Sequence, residues 1–268
     1  MIQGMFTIEV GQKRGNCMTQ EQVVNIATEI SYLMLKNGAE IYRVEQCVRF
    51  IAGAYGFFDA DCFAILTSIV VSIVEGDKVC TRTKRVTDRA TNFNKVAELN
   101  DLSRYICSHR PDYESVKKKM KEIREEKPYP FWVFTVMYMI TSFFFGLYLG
   151  GTWLTAFICC SVGVFVYPIQ WLGNKIQTNL FIINMITSGV VTLFICIVYS
   201  TIYPVQLDIM IISLIMNLVP GVALTHCMRD LISNELISGL ARLAEVFISG
   251  AGTAVGVFIV LSMFGLQV

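Results

Sequence analysis

Between Asp208 and Glu245 the chain places a breakable helix and most of its intramembrane polar side chains inside an apolar run long enough to cross a bilayer. From Ile209 to Leu224 only Ser213 and Asn217 are polar, and Pro220-Gly221 interrupts the run near its middle. Proline has no N–H, so the carbonyl near Met216 loses its helical partner, and such backbone survives in a membrane only against neighbouring helices or a wet cavity. A half-helix beginning at Val222 then presents free N–H groups and the positive end of its dipole at membrane depth. That arrangement suits a substrate carboxylate. An ordinary proline kink accounts for the same residues.

Polar groups that accompany the break sort into two sets. Asn217, Pro220, Gly221, Thr225 and Asn184 are candidates for substrate binding, and Glu245, Arg242, Asp230, Arg229 and His226 for proton coupling or ion pairing. An intramembrane carboxylate such as Glu245 is by default a functional candidate, for proton coupling or substrate contact. Arg242, three residues earlier, offers it an i,i+3 partner, which is the structural alternative. His226 is a candidate proton relay near neutral pH, although a histidine at a helix end near the interface needs no such role.

These residues need a membrane scaffold, and composition supplies one. The mean hydropathy is +0.55, 54% of the 268 residues are hydrophobic and 16% are charged, which excludes an ordinary soluble protein. Nineteen of the 22 Lys and Arg precede Pro128. The chain therefore reads as two domains, 1–127 and 128–268. A net charge of +1 gives no case for nucleic acid, and the Lys117–Lys121 cluster reads as a cytoplasmic membrane flank or a solvated helix face. Nine scattered cysteines without a C-x-x-C pair read as reduced small hydrophobes. No cleavable secretory signal is recognisable at the start.

In the first domain, residues 1–18 lack periodicity. Thr19 opens a capping box, apolar Val23, Ile26, Ile30, Leu33 and Met34 follow at helical spacing, and Asn37-Gly38 ends the helix. A second amphipathic helix runs through Ile41, Val44, Val48 and Ile51 to Gly56, with Glu45 and Arg49 as a surface pair. The β-branched run from Asp61 to Glu75 and the more polar Val79–Val86 predict a two-stranded hairpin. Helices over about 92–108 and 113–126 complete a cytoplasmic α+β domain. It holds no nucleophile elbow, phosphate loop, metal-ligand spacing or cofactor motif, so no enzyme activity is expected, and His109 reads as a solvent-exposed residue at a helix end.

In the second domain five transmembrane helices are expected: Phe131–Leu149, Trp153–Trp171, Leu180–Tyr199, the broken stretch after Asp208, and Leu243–Phe264. Lys175, Arg229 and Arg242 then fall in cytoplasmic loops while 150–152 and 200–206 carry no Lys or Arg, which orients the chain N-terminus in and C-terminus out. Gly146-x-x-x-Gly150 and Gly252-x-x-x-Gly256 predict close helix packing. The fold class is an α-helical polytopic membrane protein with an N-terminal cytoplasmic domain.

Two blocks, Asn37-Gly38-Ala39-Glu40-Ile41-Tyr42-Arg43-Val44-Glu45 and Leu218-Val219-Pro220-Gly221 with Arg229-Asp230 and Ser238-Gly239-x-x-Arg242-x-x-Glu245, resemble the threonine/serine exporter family over residues 20 to 264. The chain looks like the larger component of the split form. The resemblance implies a small polytopic membrane subunit as partner, residence in the cytoplasmic (inner) membrane of a prokaryote, and export of threonine and serine or of dicarboxylates such as succinate. Both substrate types carry a carboxylate. Glu40, Arg43 and Glu45 are then expected to gate or regulate transport. Ser233-Asn234-Glu235 departs from the family, where a glycine is expected soon after the Arg-Asp pair. A membrane-anchored scaffold or sensor, using the first domain to bind partners, is the alternative reading.

Overall fold

The computed structural model describes residues 18–87, 89–127, 129–201 and 205–265, and it divides into two compact units, Met1–Glu126 and Lys127–Val268. The stretch 1–18, which lacks periodicity, lies almost wholly outside the described residues, as does Pro128.

In the first unit, Thr19 caps α1 (Gln20–Lys36): its hydroxyl accepts from the Gln22 N–H while the Gln22 side chain accepts from the Thr19 N–H. Helix α1 is the hub of this unit. Its buried face, including Val23, Ile26, Ile30 and Met34, packs on α2 (Ile41–Ala54) and on the sheet, and Gln20 Nε2 donates to the Ile73 and Lys78 carbonyls at 2.8 and 3.1 Å. Gly38, at φ +92°, makes the tight turn between the two helices.

The expected two-stranded hairpin is in fact a three-stranded antiparallel meander of β1 (Ala60–Ile65), β2 (Ser68–Glu75) and β3 (Lys78–Arg85). The long β-branched run folds back at Leu66-Thr67, bringing Ile65 opposite Ser68. That turn carries none of the Gly, Pro, Asn or Asp residues that usually announce one. Inward Cys62 and Ala64 then face the same core as Ile69, Val71 and Ile73. Helices α3 (Phe93–His109) and α4 (Tyr113–Glu125), capped by Asn92 and Asp112, close the unit.

The second unit comprises α5 (Phe131–Tyr148), α6 (Trp153–Gly163), α7 (Val166–Lys175), α8 (Leu180–Thr201), α9 (Leu207–Ile215), α10 (Gly221–Ile232) and α11 (Leu236–Met263). Among the described residues four helical stretches are long and apolar enough to cross a membrane: Phe131–Tyr148, Trp153–Lys175, Leu180–Thr201 and Leu236–Met263. The protein is a polytopic helical membrane protein. Of the five expected spans the fourth is not among these stretches, because the run after Asp208 is split into α9 and α10, of nine and 12 residues, each too short to span alone. The second stretch is also interrupted, at Val164-Phe165, where the backbone tightens to i−3 bonds. Pro168 explains this, since it cannot donate to the Val164 carbonyl four residues back.

Helices α8 and α11 pack through small residues. A Cβ on Gly256 would overlap the Met185 carbonyl and the Ser188 hydroxyl, and one on Gly252 would overlap the Phe181 carbonyl. This approach lets Ser188 Oγ donate to the Thr253 carbonyl at 3.0 Å. Gly256→Leu is therefore expected to destabilise the unit by about 1–3 kcal/mol or more through overpacking, read as a lowered midpoint of thermal unfolding in detergent. An unchanged midpoint would show that the α8–α11 contact is loose.

Candidate functional site

The helix breaks earlier and more fully than a proline kink requires. After Met216 N–H bonds the Ile212 carbonyl, the ladder tightens: Asn217 and Leu218 donate to Leu214 and Ile215 at 3.2 and 2.7 Å, three residues back. Pro220 sits at φ −78°, ψ 62°, and Gly221 N–H closes on the Val219 carbonyl at 2.8 Å, an inverse γ-turn centred on the proline. The first α-helical bond of α10 runs from Leu224 to Pro220 at 3.0 Å. Helix α10 thus starts at Gly221, one residue before the expected Val222, and Pro220 supplies no side-chain cap to the N–H groups of Val222 and Ala223. Those donors and the aligned dipole give this point a partial positive charge.

Asn217 anchors the break to α5: its Nδ2 donates to Ser142 Oγ at 2.7 Å, and Ser142 donates onward to the Tyr138 carbonyl. Thr225 is exposed on α10 and its hydroxyl donates to the Val222 carbonyl of its own helix. Asn184 belongs to a different seam, where its amide donates to Ser249 Oγ and the Ser249 carbonyl at 2.6 and 3.3 Å. The substrate-binding candidates are therefore divided between the break itself and the α8–α11 interface.

The charged candidates gather on the hairpin of α10 and α11. Ser233 N–H bonds Arg229, Asn234 N–H bonds Leu231 and Glu235 N–H bonds Asp230, which is a Schellman turn with Asn234 left-handed at φ +65°. The departure from the expected glycine is thus resolved, because asparagine tolerates that conformation better than most side chains. Gly239 lets the helices close, since a Cβ there would lie 2.7 Å from Leu231 Cδ2. Across this contact Arg242 Nε donates to Asp230 Oδ2 at 2.9 Å, with the two residues only 8% and 1% exposed. Arg242 was expected in a cytoplasmic loop beside Glu245. It lies instead in the second turn of α11, buried, with a partner 12 residues earlier that i,i+3 spacing could not reveal. Asp230 is also a more deeply buried carboxylate than Glu245, which is half-buried one turn further along α11, while His226 is half-buried and Arg229 exposed on α10. Ser238, which the sequence singles out only as part of the family motif and not as a site residue, is buried on the same face as Arg242 with no described partner for its hydroxyl.

In the first unit the three expected gating residues have local structural roles. Arg43 Nε lies 3.2 Å from the mostly buried Glu40 carboxylate, and Glu45 Oε1 accepts from the Ala64 N–H on the edge of β1 while sitting 3.6 Å from Arg49. Burial pushes the Cys47 thiol up to about 11 and that of Cys62 to about 12, with Glu45 adding to the latter. Neither is an activated nucleophile. The eight described cysteines are all free, and Cys17 lies outside the described residues.

The threonine/serine exporter family model matches residues 25–264. A "Probable threonine/serine exporter" of Mycobacterium tuberculosis is 27% identical over 90% of this chain and 46% of its own length, and the "Threonine/serine exporter" of Corynebacterium glutamicum is 27% identical over 88% and 50%. The chain thus spans about half the length of these relatives. A "Probable succinate transporter subunit YjjP" of Escherichia coli is 23% identical over 92% of this chain and 97% of its own length. No solved structure matches.

Proposed function

The chain belongs to the threonine/serine exporter family, and from that premise we propose that it is the larger subunit of a secondary transporter exporting small carboxylate-bearing metabolites, either threonine/serine-type amino acids or dicarboxylates such as succinate. The observation that carries the reading is the match across both units, with relatives named as exporters at about twice this span and as a transporter subunit at nearly equal span. A small polytopic membrane subunit supplies the other half of the pathway. The first unit lies in the cytoplasm and regulates transport, the broken α9–α10 segment completes a fifth crossing, and the chain ends outside.

In this reading the carboxylate is received by the uncapped N–H groups at the start of α10, with Asn217 as a polar neighbour, and export is coupled to the proton gradient through Glu245. The Asp230–Arg242 pair holds the hairpin that carries these groups. Glu245→Gln tests the coupling. Export driven by a pH gradient in vesicles containing both subunits is expected to fall at least about tenfold, while insertion and assembly stay unchanged. Undiminished gradient-driven export would remove Glu245 from the mechanism, and a chain that carries no flux with any partner would favour the scaffold role.

A further inference from the structure

A cleft in the first unit is used by none of the features above. It has a volume of about 420 Å³, lies between α1, β3 and α4, and falls within the range of small-molecule sites. Ile26, Leu33 and Met120 make its floor apolar, with Ile26 and Met120 almost fully buried. Its rim is cationic: Arg82 from β3 and Lys117, Lys121 and Arg124 from α4 line it, against two carboxylates, Glu29 and Glu125. The carboxylates do not cancel that charge. Glu29 is already held by Lys84, which lies outside the cleft, and reaches Arg124 only at 3.8 Å, as Glu125 reaches Lys121. Lys117 has no acidic partner among the described residues and sits 5.8 Å above the ring of Tyr113, another wall of the cleft. A neighbouring cleft of about 300 Å³ shares Leu33 and Arg124 and adds Lys36 and Lys95.

We propose that these neighbouring clefts bind a nucleotide, its base against the apolar floor and Tyr113 of the first and its phosphates on Arg124, which lines both, and the surrounding lysines. Guanidinium and ammonium groups together recognise phosphate oxygens well. A free amino acid or dicarboxylate would leave the apolar floor unfilled, so the transported substrate is the poorer fit. On the proposed function, which places the first unit in the cytoplasm apart from the transport path, the nucleotide regulates the protein and is not its cargo.

The test uses the full chain in zwitterionic detergent, titrated with a fluorescent N-methylanthraniloyl ATP. Binding is expected with a Kd on the order of 10–100 µM, weakened by raised salt and weakened at least about tenfold by Lys117→Glu and by Arg124→Glu. Lys117→Gln, which adds no repulsion, should weaken it by a smaller factor. Lys118→Glu, an exposed neighbour outside the cleft with the same charge change, should leave it unaltered. The proposal is overturned if the wild-type chain binds no tighter than about 1 mM, if Lys118→Glu weakens binding as much as Lys117→Glu, or if inorganic tripolyphosphate competes as well as ATP.

Discussion

Asp230→Ala is expected to cost about 3–5 kcal/mol, the penalty of leaving a buried guanidinium without its carboxylate, and to remove most of the folded protein from the membrane. Arg242 is 8% exposed and donates from Nε to Asp230 at 2.9 Å, so it cannot reach water without parting α10 from α11. The parting also opens the Cys227 thiol contact to the Gly239 carbonyl and the glycine contact with Leu231. Thermal unfolding in detergent and the yield of monodisperse protein give the readout. The double change Asp230→Ala with Arg242→Met, which removes both charges, should recover much of the loss, because burying neither ion costs less than burying one. A single variant as stable as wild type would mean that the hairpin is not held by this pair.

The second large effect concerns the broken helix. Replacing Pro220 by Ala and Gly221 by Leu removes the γ-turn and supplies the N–H that position 220 lacks, and helix propensity favours the change by roughly 3 kcal/mol at the proline and about 1 at the glycine. Folding should therefore survive. Flux should not: a continuous helix spends the Val222 and Ala223 N–H groups on its own carbonyls, and export by the assembled pair is expected to fall by about two orders of magnitude, the scale on which lost preorganised donors are felt. Asn217→Leu should act in the same direction more weakly, since it frees Ser142 but leaves the backbone donors in place. Flux at the wild-type rate in the double variant would reduce the break to a bend.

Local signals told much of this fold. The Thr19 capping box, the Asn37-Gly38 stop and the helix-period stripes of α1 and α2 act over a few residues, and the structure follows them closely. What failed was equally local: the turn at Leu66-Thr67 lies within β-branched residues, and Pro168 acts on a carbonyl four residues before it, so the interruption at Val164-Phe165 precedes its cause. The apolar run after Asp208 reads by length as a span, yet the backbone loses α-helical bonding from Asn217 onward. For the candidate site, Arg229, Asp230, Arg242 and Glu245 are visible as residue types, but the pairing of Asp230 with Arg242 depends on a Schellman turn built on Asn234. Nothing in helical periodicity predicts a contact across such a turn.

The central claim is that a carboxylate crosses through a pathway completed by a second subunit and is received at the start of α10. Its most direct test is counterflow in vesicles of labelled threonine and succinate, with their amides as competitors, using this chain alone, with a small polytopic subunit of the same source, and with that subunit plus Pro220→Ala/Gly221→Leu. The account predicts saturable flux only with both subunits, competition by the carboxylate and not by its amide, and loss of that preference in the double variant. Equal competition by acid and amide in the wild-type pair, or an unaltered preference in a normally assembled double variant, would contradict it.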